Sequence, residues 1–223
     1  MTSDFAVEPK PVQNIYEWYR DKRLLVNRSY QRKLVWSVEQ KRKLIDSILN
    51  RYPIPLFLLS ARSENEGSES KTSREIYEII DGMQRLHAIV SFIEQKFCLS
   101  DGRYFDVNEF SRAKNESKIG SFILNTSGKI ITPREVSSIL SYSLSLSVVR
   151  GAGTDKIKEI FGRINYLGRS LSDQEQRQSR AESDIGRLVR LIATDIRGDV
   201  SDDTLLLDQM PSISIDKGSS DYG

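Results

Sequence analysis

The stretch Glu75–Leu86, Glu-Ile-Tyr-Glu-Ile-Ile-Asp-Gly-Met-Gln-Arg-Leu, decides how this chain reads. Glu75–Ile80 is rich in β-branched and aromatic side chains and reads as a strand. Asp81-Gly82 interrupts it with residues suited to a tight turn. From Met83 to Gln95, Leu86, Ile89, Val90 and Ile93 recur at helical spacing and predict a helix with one apolar face. A strand that turns at a glycine straight into a helix presents that helix's unpaired N–H groups and partial positive charge at the turn. An anion is favoured there. Arg85 adds a two-pronged phosphate partner, and Gln84 adds a neutral donor. Asp81 adds a carboxylate able to hold a divalent cation or polarise a water. In the plainer alternative, Asp81 caps the helix and Arg85 is a surface charge. The residue types alone leave both open.

Upstream, Leu56–Ser60 is a continuous apolar run fit for a buried strand, launched by Pro53 and Pro55. The polar residues 61–73 predict a mobile surface loop. Residues 37–51 form a clear amphipathic helix, with Ser37 and Gln40 at capping-box spacing and Val38, Ile45, Ile48 and Leu49 as its buried stripe. Residues 12–25 predict another helix, carrying Ile15, Trp18 and Tyr19, and a short extended segment follows over Leu24–Tyr30. Between these, Tyr30-Gln31-Arg32-Lys33-Leu34-Val35-Trp36 brackets a Gln-Arg-Lys triplet with two aromatics. That mixture can stack bases or hold phosphates. It also suits a loop anchored by two core aromatics.

Downstream, Phe97–Leu99 and Tyr104–Val107 flank Asp101-Gly102, a hairpin signal. Residues 111–135 are polar and mixed, with a short strand expected at Phe122–Leu124. Tyr142–Val149 alternates with the period of a half-buried strand. Thr154–Ile164 reads as a helix, and Asn165–Arg169 as a loop in which Arg163 and Asn165 can either cap the helix or face a ligand. Ser172 opens a further helix, and Ile185–Ile196 is another. Strands and helices mix without a regular βαβ repeat, which predicts an irregular α+β fold: residues 1–150 as an α+β domain and 151–223 as a helical extension.

Composition bounds the function. The chain has 223 residues, one histidine and one cysteine. His87 and Cys98 cannot by themselves build a zinc finger or a two-histidine metal centre. A lone cysteine forms no internal disulfide. There is no apolar run near the ~20 residues of a membrane span. The N-terminus lacks a signal peptide's apolar core, so the expected location is the cytoplasm. His87, just after the turn, is a candidate general base or a structural histidine; Cys98, among apolar neighbours, reads as buried and inert. The net charge of +2 hides an asymmetry: residues 1–51 carry eleven Lys/Arg against six Asp/Glu, whereas Asp195 to the end carries seven acids against two bases. A basic front of this kind can face phosphates.

Taken together, four ordered motifs resemble one family. They are Tyr30-Gln31-Arg32 with Val35-Trp36; Leu44–Leu49 followed by Pro53-Ile54-Pro55; Ile80-Asp81-Gly82-Met83-Gln84-Arg85-Leu86; and Phe161, Ile164, Asn165, Gly168, Leu171, Ser172 and Glu175. They look like the N-terminal domain of GmrSD-type, modification-dependent restriction endonucleases, over roughly residues 12–183. The resemblance implies a ParB/sulfiredoxin-related fold: a small mixed sheet with flanking helices, followed by a helical C-terminal part. It implies binding and hydrolysis of a nucleoside triphosphate, with Mg2+, within an anti-phage restriction system. Asp81, Gln84 and Arg85 would be catalytic, with Asp81 as metal ligand. Gly82, Gln84, Arg85, Arg32, Arg163 and Asn165 would surround the nucleotide, and Tyr30, Gln31, Arg32 and Lys33 would meet DNA, modified or not.

The sequence departs from the family at two positions of the turn. Met83 stands where the family usually has Gln, so one polar donor is missing there, and His87 replaces a hydroxyl residue. The family's nuclease half is a separate His-Asn-His domain. The expectation is therefore a sensing half, cut short before a missing C-terminal region, that works with a nuclease domain or partner protein and itself cleaves no DNA. Non-catalytic recognition of modified DNA and ParB-like nicking are the alternatives, and an oligomer stays open.

Overall fold

In the computed structural model, residues 4–27, 34–65, 73–125, 128–153, 155–157, 159–160, 162–163 and 204–206 are described. The chain begins with β1 (Asp4–Pro11), α1 (Val12–Arg20), β2 (Leu24–Asn27), α2 (Val38–Leu49), β3 (Phe57–Asn65), β4 (Ser73–Asp81) and α3 (Met83–Ile93). There follow β5 (Arg103–Tyr104), a 3-10 turn at Val107–Glu109, α4 (Ser111–Lys118), β6 (Lys129–Ile130), α5 (Pro133–Leu140), β7 (Ser143–Arg150) and β8 (Thr204–Leu206). Six strands form one mixed sheet in the order β1-β7-β3-β4-β2-β8, and β5 and β6 form a small second sheet. The α+β architecture, a mixed sheet with flanking helices, is the one the sequence predicts.

Each face of the large sheet is covered differently. On one side, α1, α2, α3 and α5 bury a core that includes Ile15, Tyr16, Ile45, Ile48, Phe57, Ile79, Leu86, Ile89 and Ile139. On the other, Leu58, Ile80 and Val149 meet Ile157, with Ile160 packed against them. Residues 155–157, 159–160 and 162–163 are helical, in keeping with the helix predicted there. α2 starts on the predicted capping box: the Gln40 amide donates to Ser37 Oγ, and the Ser37 amide donates back to Gln40 Oε1. Trp18 of α1 stacks on Tyr77 of β4 at 4.1 Å, and the Arg23 guanidinium lies over both rings. A buried ion network fastens α1 to the end of α3 and to α4: Arg20 bonds Glu94 at 3.1 Å and Glu116 at 2.6 Å.

Several expectations are corrected. β1 has no counterpart in the sequence reading, and its Pro9 and Pro11 disfavour a central strand; among the described residues it is an edge strand paired with β7, where proline is tolerated. α1 stops at Arg20 rather than running to residue 25, since Lys22 takes a left-handed φ of 56° ahead of β2. The predicted loop 61–73 is shorter: β3 continues to Asn65 and β4 starts at Ser73, because ladder pairing accepts polar residues that lack an apolar pattern.

The hairpin around Asp101-Gly102 does not form. The turn itself closes, but Arg103–Tyr104 pairs in parallel with Lys129–Ile130, and the Asp106 side chain accepts the Asn108 amide and winds the following residues into the 3-10 turn. Phe122–Leu124 is not a strand; Phe122 is a buried plug and Ile123 is exposed. The stretch 111–135 instead contains α4 and the start of α5, whose Thr132–Glu135 capping box with Pro133 at its first turn was the unread signal. Within the predicted helical extension, residues 204–206 form a strand against β2. The helices expected from Ser172 and over Ile185–Ile196 lie outside the described residues. Among the described residues, no helix is long and apolar enough to cross a membrane.

Candidate functional site

The turn between β4 and α3 is built by close packing. Opposite it, the β3–β4 register slips: Leu58 pairs with Asp81 but Leu59 with Ile79, so β4 carries an extra residue, Ile80, just before the turn. Gly82 is the N-cap of α3 in the left-handed region, with φ 101°, and α3 has no side-chain cap. Two reasons demand glycine. An L side chain is disfavoured at that φ, and a Cβ there would run into the Phe57 ring. Asp81 therefore does not cap the helix, which removes one half of the plainer reading.

Arg85 is not a surface charge either. Its side chain is 12% exposed, against 42% for Asp81. Nη2 donates to Asp81 Oδ2 at 2.7 Å, while Nη1 donates to the Pro55 carbonyl and, at 3.2 Å, to that of Leu56. Its guanidinium carbon lies 4.5 Å from the centroid of the Phe57 ring. Burial draws the guanidinium below its ordinary pKa and the Asp81 carboxylate opposes that; it stays charged at neutral pH. Gln84 behaves differently from the expected ligand donor: its Oε1 accepts the amides of Val35 (3.1 Å) and Trp36 (3.3 Å), tying the segment before α2 to α3. Met83 is buried in the core, so it supplies apolar packing rather than a group at the turn.

Asp81, Gly82, Gln84 and Arg85 are thus together, framed by residues 35–36 on one side and 55–57 on the other. The carbonyls of Pro55 and Leu56 and the ring of Phe57 are the site residues that sequence reasoning missed. The prolines marked a turn, but nothing local showed which side chain it would meet. Arg163 is exposed and pairs with Glu159 one helical turn back, at 2.7 Å; no hydrogen bond or ion pair joins it to the Asp81–Arg85 turn. Tyr30, Gln31, Arg32, Lys33 and Asn165 lie outside the described residues.

His87 is half-buried, with Nε2 3.3 Å from Ser91 Oγ. Burial, then Lys41 and Lys96, push its pKa down to about 4, so it is neutral at pH 7. Cys98 is half-buried; its carbonyl accepts Arg42 Nε at 2.9 Å. Among the described residues there is no cluster of three or more metal-ligating side chains. Asp81 is a single, accessible carboxylate, a donor set that suits Mg2+ only when phosphate oxygens complete the shell.

Residues 14–181, about three quarters of the chain, match the model of the family described as GmrSD restriction endonuclease, N-terminal domain. No curated protein matches the chain.

Proposed function

This chain belongs to the GmrSD restriction endonuclease N-terminal domain family and is a restriction-system component; from that premise we propose that its Asp81–Arg85 turn binds and hydrolyses a nucleoside triphosphate. The observation that carries the reading is the uncapped N-terminus of α3 at Gly82, with the Asp81 carboxylate and the Arg85 guanidinium held 2.7 Å apart beside it. A phosphate at a helix N-terminus meets oriented amides and a favourable dipole. Gly82 lets it approach the backbone closely. Arg85 is aimed at the turn by the Pro55 and Leu56 carbonyls and by Phe57, so its orientation does not depend on ligand. The Asp81 carboxylate would repel a phosphate unless a cation lies between them. Mg2+ held by Asp81 and phosphate oxygens would neutralise charge and polarise the phosphoryl group. Asp81 also stands where it can orient a water, and Gln84 keeps the 35–36 wall in place.

The test is calorimetry with ATP, GTP, CTP and UTP, with and without Mg2+. Binding of at least one, tightened by Mg2+ and weakened tenfold or more by Arg85→Ala, is expected; no binding of any of the four overturns the reading. The second part of the proposal is DNA as partner, with cutting supplied by a nuclease domain or protein. The basic excess of residues 1–51 favours it. A duplex-binding assay at two salt concentrations tests this part by itself.

A further inference from the structure

The outer edge of β1 carries a short and specific set of backbone groups. In an antiparallel ladder, every second residue turns its N–H and C=O toward the same neighbour. The Val12 amide donates to the Tyr142 carbonyl at 3.0 Å, in line with the β1–β7 register, so the backbones of Lys10, Glu8, Ala6 and Asp4 face β7 in turn. Those of Phe5, Val7, Pro9 and Pro11 turn outward, where no strand pairs with them among the described residues. Proline has no N–H to donate. The outer edge therefore offers two donors, on Phe5 and Val7, and then a stop at Pro9 and Pro11. Prolines placed this way oppose open-ended strand addition but leave one short stretch able to pair.

The side chains of the same stretch alternate across the sheet. Lys10 Nζ lies over the Trp18 ring of α1, 5.8 Å from its centroid, so Lys10 marks the helix-covered face. Phe5, Val7 and Pro9 stand on the opposite face, with Phe5 beside Val149 in the register. On that face Ile157 and Ile160 pack against Leu58, Ile80 and Val149. At β1, by contrast, Phe5 is 51% exposed and Val7 74%. The residues that turn backbone donors outward are thus the same ones that leave apolar side chains open, which is the form of a strand-pairing template.

We propose that β1 pairs with β1 of a second copy of this chain, antiparallel about Val7, so that the two large sheets join edge to edge. That register sets Val7 opposite Val7 and Phe5 opposite Pro9. Each Val7 N–H donates to the other Val7 carbonyl, and each Phe5 N–H donates to the Pro9 carbonyl of the other copy. The outward donors of Phe5 and Val7 are all used, and no bond falls on a proline nitrogen. Phe5, Val7 and Pro9 of both copies form one apolar strip on the open face. Centring the pair on Ala6 uses the same donors but sets Asp4 opposite Glu8, two acids. Centring it on Val7 sets Asp4 opposite Lys10, an acid against a base, and cross-strand charge decides for Val7. A strand that complements itself in donors and in charge is what a two-fold contact requires, and this selects a copy of the same chain as the occupant.

The pairing does not depend on nucleotide or DNA binding. The test is sedimentation equilibrium of the whole chain from about 2 to 500 µM, the range in which so small a contact associates. A reversible monomer–dimer equilibrium is expected. Val7→Pro deletes an outward donor and leaves the β1–β7 bonds; Val7→Lys keeps the donor and sets two like charges face to face. Each should weaken the dimer tenfold or more, while the melting temperature of the dilute monomer holds; if Val7→Pro does not fold, Val7→Lys decides. Asp4→Lys should weaken the dimer, and Asp4→Lys with Lys10→Glu should restore it. Ile123→Ser, at an exposed apolar residue after α4, should change nothing. A chain that stays monomeric overturns the proposal, including the case in which the edge takes a strand of another protein. A dimer that survives Val7→Lys, or that is lost in Ile123→Ser, overturns it by placing the contact elsewhere. A charge-swapped double variant no tighter than Asp4→Lys overturns the pairing about Val7.

Discussion

The Arg85 guanidinium lies 4.5 Å above the Phe57 ring, and the same ring occupies the space that a side chain at residue 82 would need. One aromatic residue at the start of β3 thereby fixes both the turn's glycine and its arginine. Arg85 has a structural task whatever it binds: it joins Asp81 to the Pro55 and Leu56 carbonyls. Arg85→Ala is expected to lower stability by about 2 kcal/mol, since hydrogen bonds to a charged group are removed. Arg85→Lys keeps the charge but not the planar fork, and should lose about 1 kcal/mol. Urea unfolding of both variants beside nucleotide calorimetry separates the tasks: a purely structural arginine would lower stability while ligand affinity held.

Gly82→Ala should be more damaging than its size suggests. It forces an L residue to φ 101° and drives a methyl group into Phe57. A loss of about 2 kcal/mol or more is expected, visible in denaturant midpoints. Gly82→Ala with Phe57→Leu should recover part of the steric cost and none of the backbone strain.

Gln84→Ala removes the acceptor shared by the Val35 and Trp36 amides. The expected cost is about 1 kcal/mol, with faster hydrogen exchange at those two amides and little change elsewhere. Gln84→Glu retains the acceptor and should retain the protection. Unchanged exchange in Gln84→Ala would show that other groups hold the segment.

Acid should weaken the fold in a defined window. His87 has a folded pKa of about 4 against 6.5 for the free side chain, so the unfolded chain takes up its proton first. Its neutral burial therefore contributes fully above pH 6.5, and the contribution is lost as pH falls toward 4. Burial raises the Glu116 carboxyl, but hydrogen bonds from Arg20 and Ser121 outweigh that and hold it below its usual value of 4.5. It acts in the same direction at lower pH. Stability should be flat just above pH 7 and fall between 6.5 and 4, by at most about 1.4 kcal/mol per pH unit from His87. His87→Gln should flatten that stretch; an unchanged slope would assign it to other groups.

The elements with strong local signals were legible from the residues: the strand–Gly–helix unit over 75–93, the capped α2, and the alternating β7. Local composition is enough for these, because periodicity and capping act within a few residues. β1, the far half of β3, and the β5–β6 pair were not legible, because each is held by partners far along the chain and carries proline or polar residues that argue the other way. The extra residue at Ile80 arises only from pairing with β3.

For the site, sequence alone determined which residues stand at the turn, Asp81, Gly82, Gln84 and Arg85, and that strand passes into helix there. Tertiary structure decided what they do in the folded chain. It placed Phe57 under Gly82, turned Arg85 onto the Pro55 and Leu56 carbonyls, directed Gln84 to Val35 and Trp36, and buried Met83. The spacing of a motif along a helix is local geometry. The acceptor that a guanidinium or an amide finds depends on which distant segment the sheet brings beside it.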